Sequence, residues 1–352
     1  MGVGSMKKRV KLDDIAKVVG LSKMAVSLAL REDVSVSKDT IQRVKEVADR
    51  LGYTPNRFAQ GLMNGRSRTL AMLLGGSLHD DYQNQIIRGA IPYALEKGYT
   101  LSIAPAECDP TLEASYIEKY QNLMIDGFLA FHCRTAEPYK QLKKNGIPFV
   151  LYTKYFEELE CDYVVCNDYV GGYEMTRALL ELGHRNVAFV YDEYLKRSTE
   201  VLNRRRGYAA ALEERGLPAS AISFEFDFKS NQTDPAHLLA INRAFRELMQ
   251  RTDRPTALFV CNDVLASSVY IVLKRLGLVI PDDVSVAGYE GVYLGQILDP
   301  PLTTVRTPIQ DIGRKACQIL IDKIEGHAPM TETIQVKLEP KLEIRGSTAP
   351  PR

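Results

Sequence analysis

At 352 residues with 45% apolar side chains, the chain holds enough material for two or three compact domains with cores of their own. Its net charge of +1 names no partner, but fourteen Lys or Arg face seven Asp or Glu over residues 1–68, against 31 and 37 in the remainder, a polyanion footprint on a mildly acidic body. No apolar run of roughly 18 residues exists, which excludes a transmembrane helix; the basic start leads into residues 10–14 and not into an apolar segment, so no secretory signal and a cytoplasmic location are expected.

Residues 1–9 are expected to be a disordered or added start. From there the chain reads as short helices. Leu12, Ile15, Ala16 and Val18–Val19 give one apolar face that ends at Gly20. Ser22 is placed to cap a second helix, residues 23–30, with Val26, Ala29 and Leu30 turned inward. Ser37 caps a third, in which Ile41, Val44, Val47, Ala48 and Leu51 recur at helical spacing before Gly52. Pro55 breaks the chain, and a short helix is expected from Asn56 through Ala59 and Leu62, with residues 65–67 as its exit.

From Thr69 the pattern changes to near-continuous apolar strands alternating with helices. Strands are expected at 70–74, 100–104, 127–131, 149–152, 187–190, 257–260 and 284–287. Helices are expected at 116–124, 172–182, 201–215, 238–251, 264–276 and 311–325, with another after Gly75-Gly76. Apolar strands joined by crossover helices imply an α/β fold with parallel sheets covered on both faces. So many strands imply two lobes, with ligands bound beyond the carboxyl ends of the strands.

Little in the chain points to catalysis. Gly75-Gly76 and Gly171-Gly172 make neither a dinucleotide fingerprint nor a phosphate loop. The six cysteines are scattered and the five histidines isolated, so reduced buried thiols, no metal site, no cofactor and no catalytic residues are the expectation. His184, between a helix and a strand, reads as a structural tie.

A helix, a four-residue turn around Gly20 and a second helix have the spacing of a helix-turn-helix motif, whose second helix enters the major groove of DNA. Small three-helix domains also serve protein contacts, and Ser22 as a mere cap or Met24 as core filler would be the plain alternatives. The residues decide more than the spacing. Asp14-Ile15-Ala16-Lys17, Gly20-Leu21-Ser22, Val26-Ser27, Val36-Ser37, Arg43-Val44, Leu51-Gly52-Tyr53, Pro55-Asn56, Ala59, Leu62 and Arg66-Ser67-Arg68-Thr69 together resemble the lactose-repressor (LacI/GalR) family of bacterial regulators. The similarity continues to Arg345-Gly346-Ser347.

The resemblance implies a helix-turn-helix head (10–54), a hinge helix and linker (55–68) and a two-lobed sensor like periplasmic sugar-binding proteins (69–348). Its first lobe would take residues 69–185 and 304–332, its second 186–303 and 333–348. Lys23 and Met24 would select bases in double-stranded operator DNA, with Ser22 and Ser27 on the phosphates. Asn56, Ala59 and Leu62 would form a hinge helix that wedges the minor groove in a homodimer on a pseudo-palindromic operator. Leu62 could instead contact its own domain. Ala25 and Leu28 depart from the family's Thr and Arg, and Lys11 from its Thr cap. Leu28 can touch a thymine methyl or simply pack, so the operator's sequence does not follow.

In the sensor, the motifs Asn167-Asp168, Leu182-Gly183-His184-Arg185, Asn262-Asp263 and Gly288-Tyr289-Glu290 carry the likeness. It implies an effector cleft with Tyr82, Asp168, Arg204, Asn262 and Glu290 around a small polar, sugar-like molecule. Arg204 could instead be a solvated member of the Arg204-Arg205-Arg206 run, Asn262 and Asp168 could merely cap helices, and Tyr82 could be lobe packing. Glu290 stands where relatives usually have Asp, so the ligand's identity does not carry over. A repressor is the function implied; an activator or a regulator driven by a partner protein is the alternative, and a solute-binding transport protein a remote one.

Overall fold

A computed structural model describes residues 10–53, 66–76, 80–131, 135–224, 242–243 and 245–352. They divide between a unit ending at Ser67 and one beginning at Arg68. The expected hinge residues Asn56, Ala59 and Leu62 lie outside the described residues, as do Cys133 and the first part of the helix expected at 238–251.

The first unit is three helices, α1 (Leu12–Val19), α2 (Lys23–Leu30) and α3 (Lys38–Leu51). Their ends are set by local chemistry. Asp14 accepts the Lys11 amide at 2.8 Å, half of a capping box; the other half is missing because a lysine side chain has no acceptor to offer. Gly20 closes α1 at φ 71°, returning its N–H to Ala16, a left-handed turn that a side chain disfavours. Ser22 Oγ accepts the Ala25 amide at 3.1 Å and Ser37 Oγ the Thr40 amide at 3.3 Å. Ile15, Ala16, Val26, Ala29, Val44, Val47 and Ala48 form the core, with Leu30 partly buried against it. Arg43 donates to the Val19 carbonyl at 2.8 Å, tying α3 to the end of α1.

The second unit holds two six-stranded sheets. The first runs β11-β5-β4-β3-β1-β2 and is parallel throughout. Its strands are β1 (Thr69–Leu74), β2 (Thr100–Pro105), β3 (Gly127–Ala130), β4 (Phe149–Tyr152), β5 (Asp162–Cys166) and β11 (Gln335–Leu338). The second runs β12-β10-β9-β8-β6-β7, with β12 (Lys341–Glu343) antiparallel to β10 (Thr303–Arg306). Its others are β6 (Val187–Asp192), β7 (Ser220–Phe224), β8 (Ala257–Val260) and β9 (Ser285–Glu290).

Helices α4 (Asp81–Glu96), α5 (Pro110–Asn122), α6 (Glu137–Lys144) and α11 (Ile309–Glu325) cover the first sheet. Helices α7 (Asp168–Glu181), α8 (Thr199–Glu213) and α9 (Asp263–Arg275) cover the second. The short α10 (Tyr293–Ile297) follows β9. The chain therefore crosses between the lobes after β5, between β10 and α11, and between β11 and β12. These crossings differ from the boundaries expected at 185, 303 and 332. Met175, Leu179 and Leu180 of α7 belong to the second lobe's core, and β11 pairs with β5.

Among the described residues, a pair of helices in each lobe approaches to backbone contact. A methyl on Gly89 of α4 would lie 1.9 Å from the Gln310 carbonyl, and one on Gly313 of α11 would lie 2.1 Å from that of Ile86. In the other lobe, a methyl on Gly172 of α7 would lie 2.2 Å from the Arg204 carbonyl, and one on Gly207 of α8 would lie 2.0 Å from that of Tyr169. Gly172 is thus a packing residue inside a helix that starts at Asp168, four residues before the expected start. A buried ion pair fixes the first lobe further: Lys323 Nζ lies 2.6 Å from Asp162 Oδ2, while Asp162 Oδ1 accepts the Ile334 amide at 2.7 Å at the entry to β11. Among the described residues no helix is long and apolar enough to cross a membrane.

The glycine contacts carry a test. Gly313→Ala is expected to force α4 and α11 apart and lower stability by about 1–3 kcal/mol, read from the urea midpoint. An unchanged midpoint would show that the two helices separate freely.

Candidate functional site

Helix α2 presents one face to solvent. Ser22, Lys23 and Met24 are exposed, Met24 at 73%, while Ser27 and Leu28 are half-buried beside the inward Val26 and Ala29. Ser22 caps the helix through its hydroxyl. Lys23 approaches Asp13 at 3.6 Å with both side chains mostly exposed, an ion pair of little energy that leaves its charge available. Met24 is therefore not core filler. Lys23 and Met24 thus stand side by side on the exposed first turn of α2.

The second site lies between the lobes of the sensor and centres on Arg204. This residue is 2% exposed, whereas Arg205 is half-buried and Arg206 exposed: the run is divided by helix periodicity. Arg204 Nε donates to Asp168 Oδ1 at 2.8 Å and Nη1 to the Cys261 carbonyl at 2.6 Å. Its guanidinium lies 3.9 Å from the centre of the Tyr289 ring, a cation–π contact, and Nη1 is 3.7 Å from Glu290 Oε1. Burial works against this charge, but Asp168, Tyr289 and Glu290 hold the guanidinium firmly protonated. Asp168 opens α7 where the chain leaves the first sheet; burial pushes its carboxyl up to about 6 although Arg204 pulls it down. Burial likewise holds Glu290 well above the usual carboxylate range, against the pull of Arg204.

Glu290 sits at φ 105° and Thr153, across the cleft, at φ 70°. Such backbone costs about 1–3 kcal/mol per residue and persists only where its surroundings impose it. Asp263 is what imposes it at Glu290. Fully buried, it accepts the amides of Gly291 at 2.8 Å and Val292 at 3.0 Å and the Thr304 hydroxyl at 2.7 Å. Tyr82 is buried with its hydroxyl 3.1 Å from Thr153 Oγ1; burial first, then the nearby Glu290 carboxylate, raises the phenol. Asn262 caps α9, its Oδ1 accepting the Leu265 amide at 2.7 Å.

The structure thus brings Asp168, Arg204 and Glu290 into one cluster, with Tyr82 beside it. Asn262 stands next to Cys261, whose carbonyl Arg204 holds, and has capping as its visible task. Sequence reasoning missed three contributors. Tyr289 and Asp263 lie in motifs already noted, each one residue from a residue it did select. Glu200 stands four residues before Arg204, on the same helix face, and that spacing was a usable signal. A small crevice of about 40 Å³ opens beside the cluster, lined by Thr153, Cys166, Asp168, Thr199, Glu200 and Asn203 among others. His184 is buried and bonded to Thr256 Oγ1 and the Ala349 carbonyl, both at 2.9 Å. No group of metal-ligating side chains occurs among the described residues.

By sequence, residues 11–56 match the bacterial regulatory proteins of the lacI family, and residues 176–348 the periplasmic binding protein-like domain. The HTH-type transcriptional repressor PurR of Aliivibrio salmonicida is 29% identical over 317 residues, 89% of this chain and 92% of that protein. The HTH-type transcriptional regulator DegA of Bacillus subtilis is 29% identical over 344 residues, 96% of this chain and 97% of that one. The crystal structure of a LacI family regulator from Enterococcus faecium with bound ribose superposes with a TM-score of 0.68 at 26% identity, over 81% of this chain and all of that one.

A three-helix head ahead of a two-lobed sensor defines a ligand-responsive, DNA-binding transcription regulator, and not an enzyme. The chain belongs to the LacI family of bacterial transcription regulators.

The site carries a pH test. Burial raises Asp263 from the ordinary 3.8 to about 7, so between those values the folded protein holds a proton that the unfolded chain releases. The stability this group contributes is complete below about pH 4 and is lost as pH rises through 7. Urea midpoints of wild type and Asp263→Asn should therefore differ in wild type's favour most at low pH, with the advantage shrinking toward neutrality. An advantage that grows with pH would contradict the assignment.

Proposed function

We propose that the chain acts as a homodimeric repressor that grips a pseudo-palindromic duplex through the N-terminal end of α2, its grip set by a small polyhydroxylated metabolite held between Asp168, Arg204 and Glu290. The observation that carries this reading is the buried Arg204 cluster at the lobe junction of a chain that also exposes Lys23 and Met24 at a helix N-terminus. In the groove, Lys23 and Met24 select bases, Leu28 touches a methyl, and Ser22 and Ser27 meet phosphates. Asn56, Ala59 and Leu62 are assigned to the hinge on the family resemblance. A two-fold pair of heads doubles the few contacts that one can make.

A guanidinium fixed by carboxylates inside a cleft suits a polyol, whose hydroxyls both donate and accept. The ribose-bound Enterococcus faecium regulator supports that class. Tyr82 and Asn262 complete the proposed contacts. An effector that binds open and closed lobes unequally shifts their populations by that difference. The chain connection gives the shift a route: Arg68, at the start of the sensor, is anchored to the first lobe by Glu325 at 2.7 Å and Asp126 at 3.0 Å. A movement of that lobe therefore carries Arg68 with it.

Selection from random duplexes should recover a pseudo-palindrome, with Lys23→Ala relaxing preference at one position per half-site by about 1–3 kcal/mol. Enrichment of an asymmetric half-site, or of nothing, would reject dimeric operator binding. Glu290→Ala should weaken binding of an identified effector by about 2–5 kcal/mol in calorimetry. Unchanged affinity would move the effector site elsewhere.

A further inference from the structure

The cleft holds more negative than positive charge, and the imbalance falls on one atom. Arg204 supplies the guanidinium, and its bonds are largely committed to Asp168, the Cys261 carbonyl and the Tyr289 face, with Glu290 alongside. Glu200, one turn earlier on α8, is only 7% exposed and lines the crevice. Ser198 donates to its Oε1 at 2.5 Å. Its other oxygen, Oε2, is buried with no hydrogen-bond partner.

A carboxylate oxygen removed from water without a donor is among the costlier defects a fold can carry, and native structures hold few. The neighbouring cations do not repair it. Lys337 is exposed at the crevice mouth, and the Lys154 ammonium lies 4.2 Å from the Phe131 ring centre. Oε2 is thus an acceptor placed to meet a donor that enters through the crevice.

We propose that Glu200 receives an ammonium group of the effector, so that the molecule sensed is an amine-bearing polyol, such as an amino sugar, and not a neutral sugar, a sugar acid or a sugar phosphate. A hydroxyl could offer Oε2 one hydrogen bond, but, with burial holding Glu290 well above the usual carboxylate range, it would leave the charges of Asp168 and Glu200 facing the single Arg204. An acid or phosphate would add to that charge in a poorly screened site. An ammonium provides donors for Oε2 and balances the cluster, while the hydroxyls of the same molecule meet Arg204 and Glu290. This inference rests on the sensor reading above and names its ligand class.

The test is calorimetry of the full chain against matched triplets: glucose, glucosamine and glucose 6-phosphate, then galactose, galactosamine and galactonate, then mannose, mannosamine and mannonate. In at least one triplet the amine should bind about tenfold or more tighter than its partners, as expected for one charge-assisted hydrogen bond. Glu200→Gln should erase that preference and Glu200→Asp retain part of it. A neutral or anionic member that binds best overturns the amine assignment and leaves the sensor reading standing. Failure of every member to bind, in protein that still selects an operator, overturns it too. An amine preference that survives Glu200→Gln removes Glu200 from the contact. Should Glu200→Gln fail to fold, the triplets on wild type decide alone.

Discussion

A guanidinium taken out of water has to be met, atom by atom, by groups that want its charge, and in this chain that requirement organises the lobe junction. Arg204 is met by Asp168 at the first turn of α7, by the carbonyl after β8, by the ring of Tyr289 and by Glu290 at the end of β9. Those four partners come from three different elements. Once Arg204 is buried, the start of α7 and the ends of β8 and β9 are held within reach of one another. The backbone contact of Gly172 with Arg204 itself sets how closely α7 and α8 approach. Charge pairing and helix packing thus meet in a single residue. A buried pair of this kind is weak evidence for net stability and better evidence for a fixed geometry. Here the geometry is a cleft whose floor is charged.

The head solves a different problem with different means. Its core is small, and helix ends take over part of the work: two serine caps, one half capping box, two left-handed glycines and the Arg43 tie to Val19. Because these bonds are local, α2 can spend its outer face on exposed residues without loosening the bundle. The apolar Met24 can stay in water for the same reason.

That division also explains what the sequence disclosed. Ser22, Ser37, Gly20 and Gly52 fix helix ends through their own neighbours, so the three helices of the head were legible residue by residue. The long apolar strands were legible as well. Strands β5, β7 and β10 were not among those expected, nor were β11 and β12: of these last two, one alternates in burial, the other has three residues, and both exist through the partners they pair with, β5 and β10. Gly171-Gly172 suggested a late start for α7, whereas Gly172 is inside the helix to let α8 approach. In the Arg204-Arg205-Arg206 run, composition could not say which arginine is buried; the family pattern pointed to the right one. The crossings were misplaced because a covalent sequence does not announce which of two sheets a helix will cover.

The three crossings have a consequence for how such a sensor can be inherited. Each lobe is assembled from segments that the other interrupts, so neither can be exchanged by recombination at a single point. A graft that brings a new cleft has to bring both halves together. The head is a single stretch that ends before Arg68, and one junction transfers it whole. Novel pairings of an old operator with a new signal are therefore open to this architecture at one seam, whereas hybrid clefts are not.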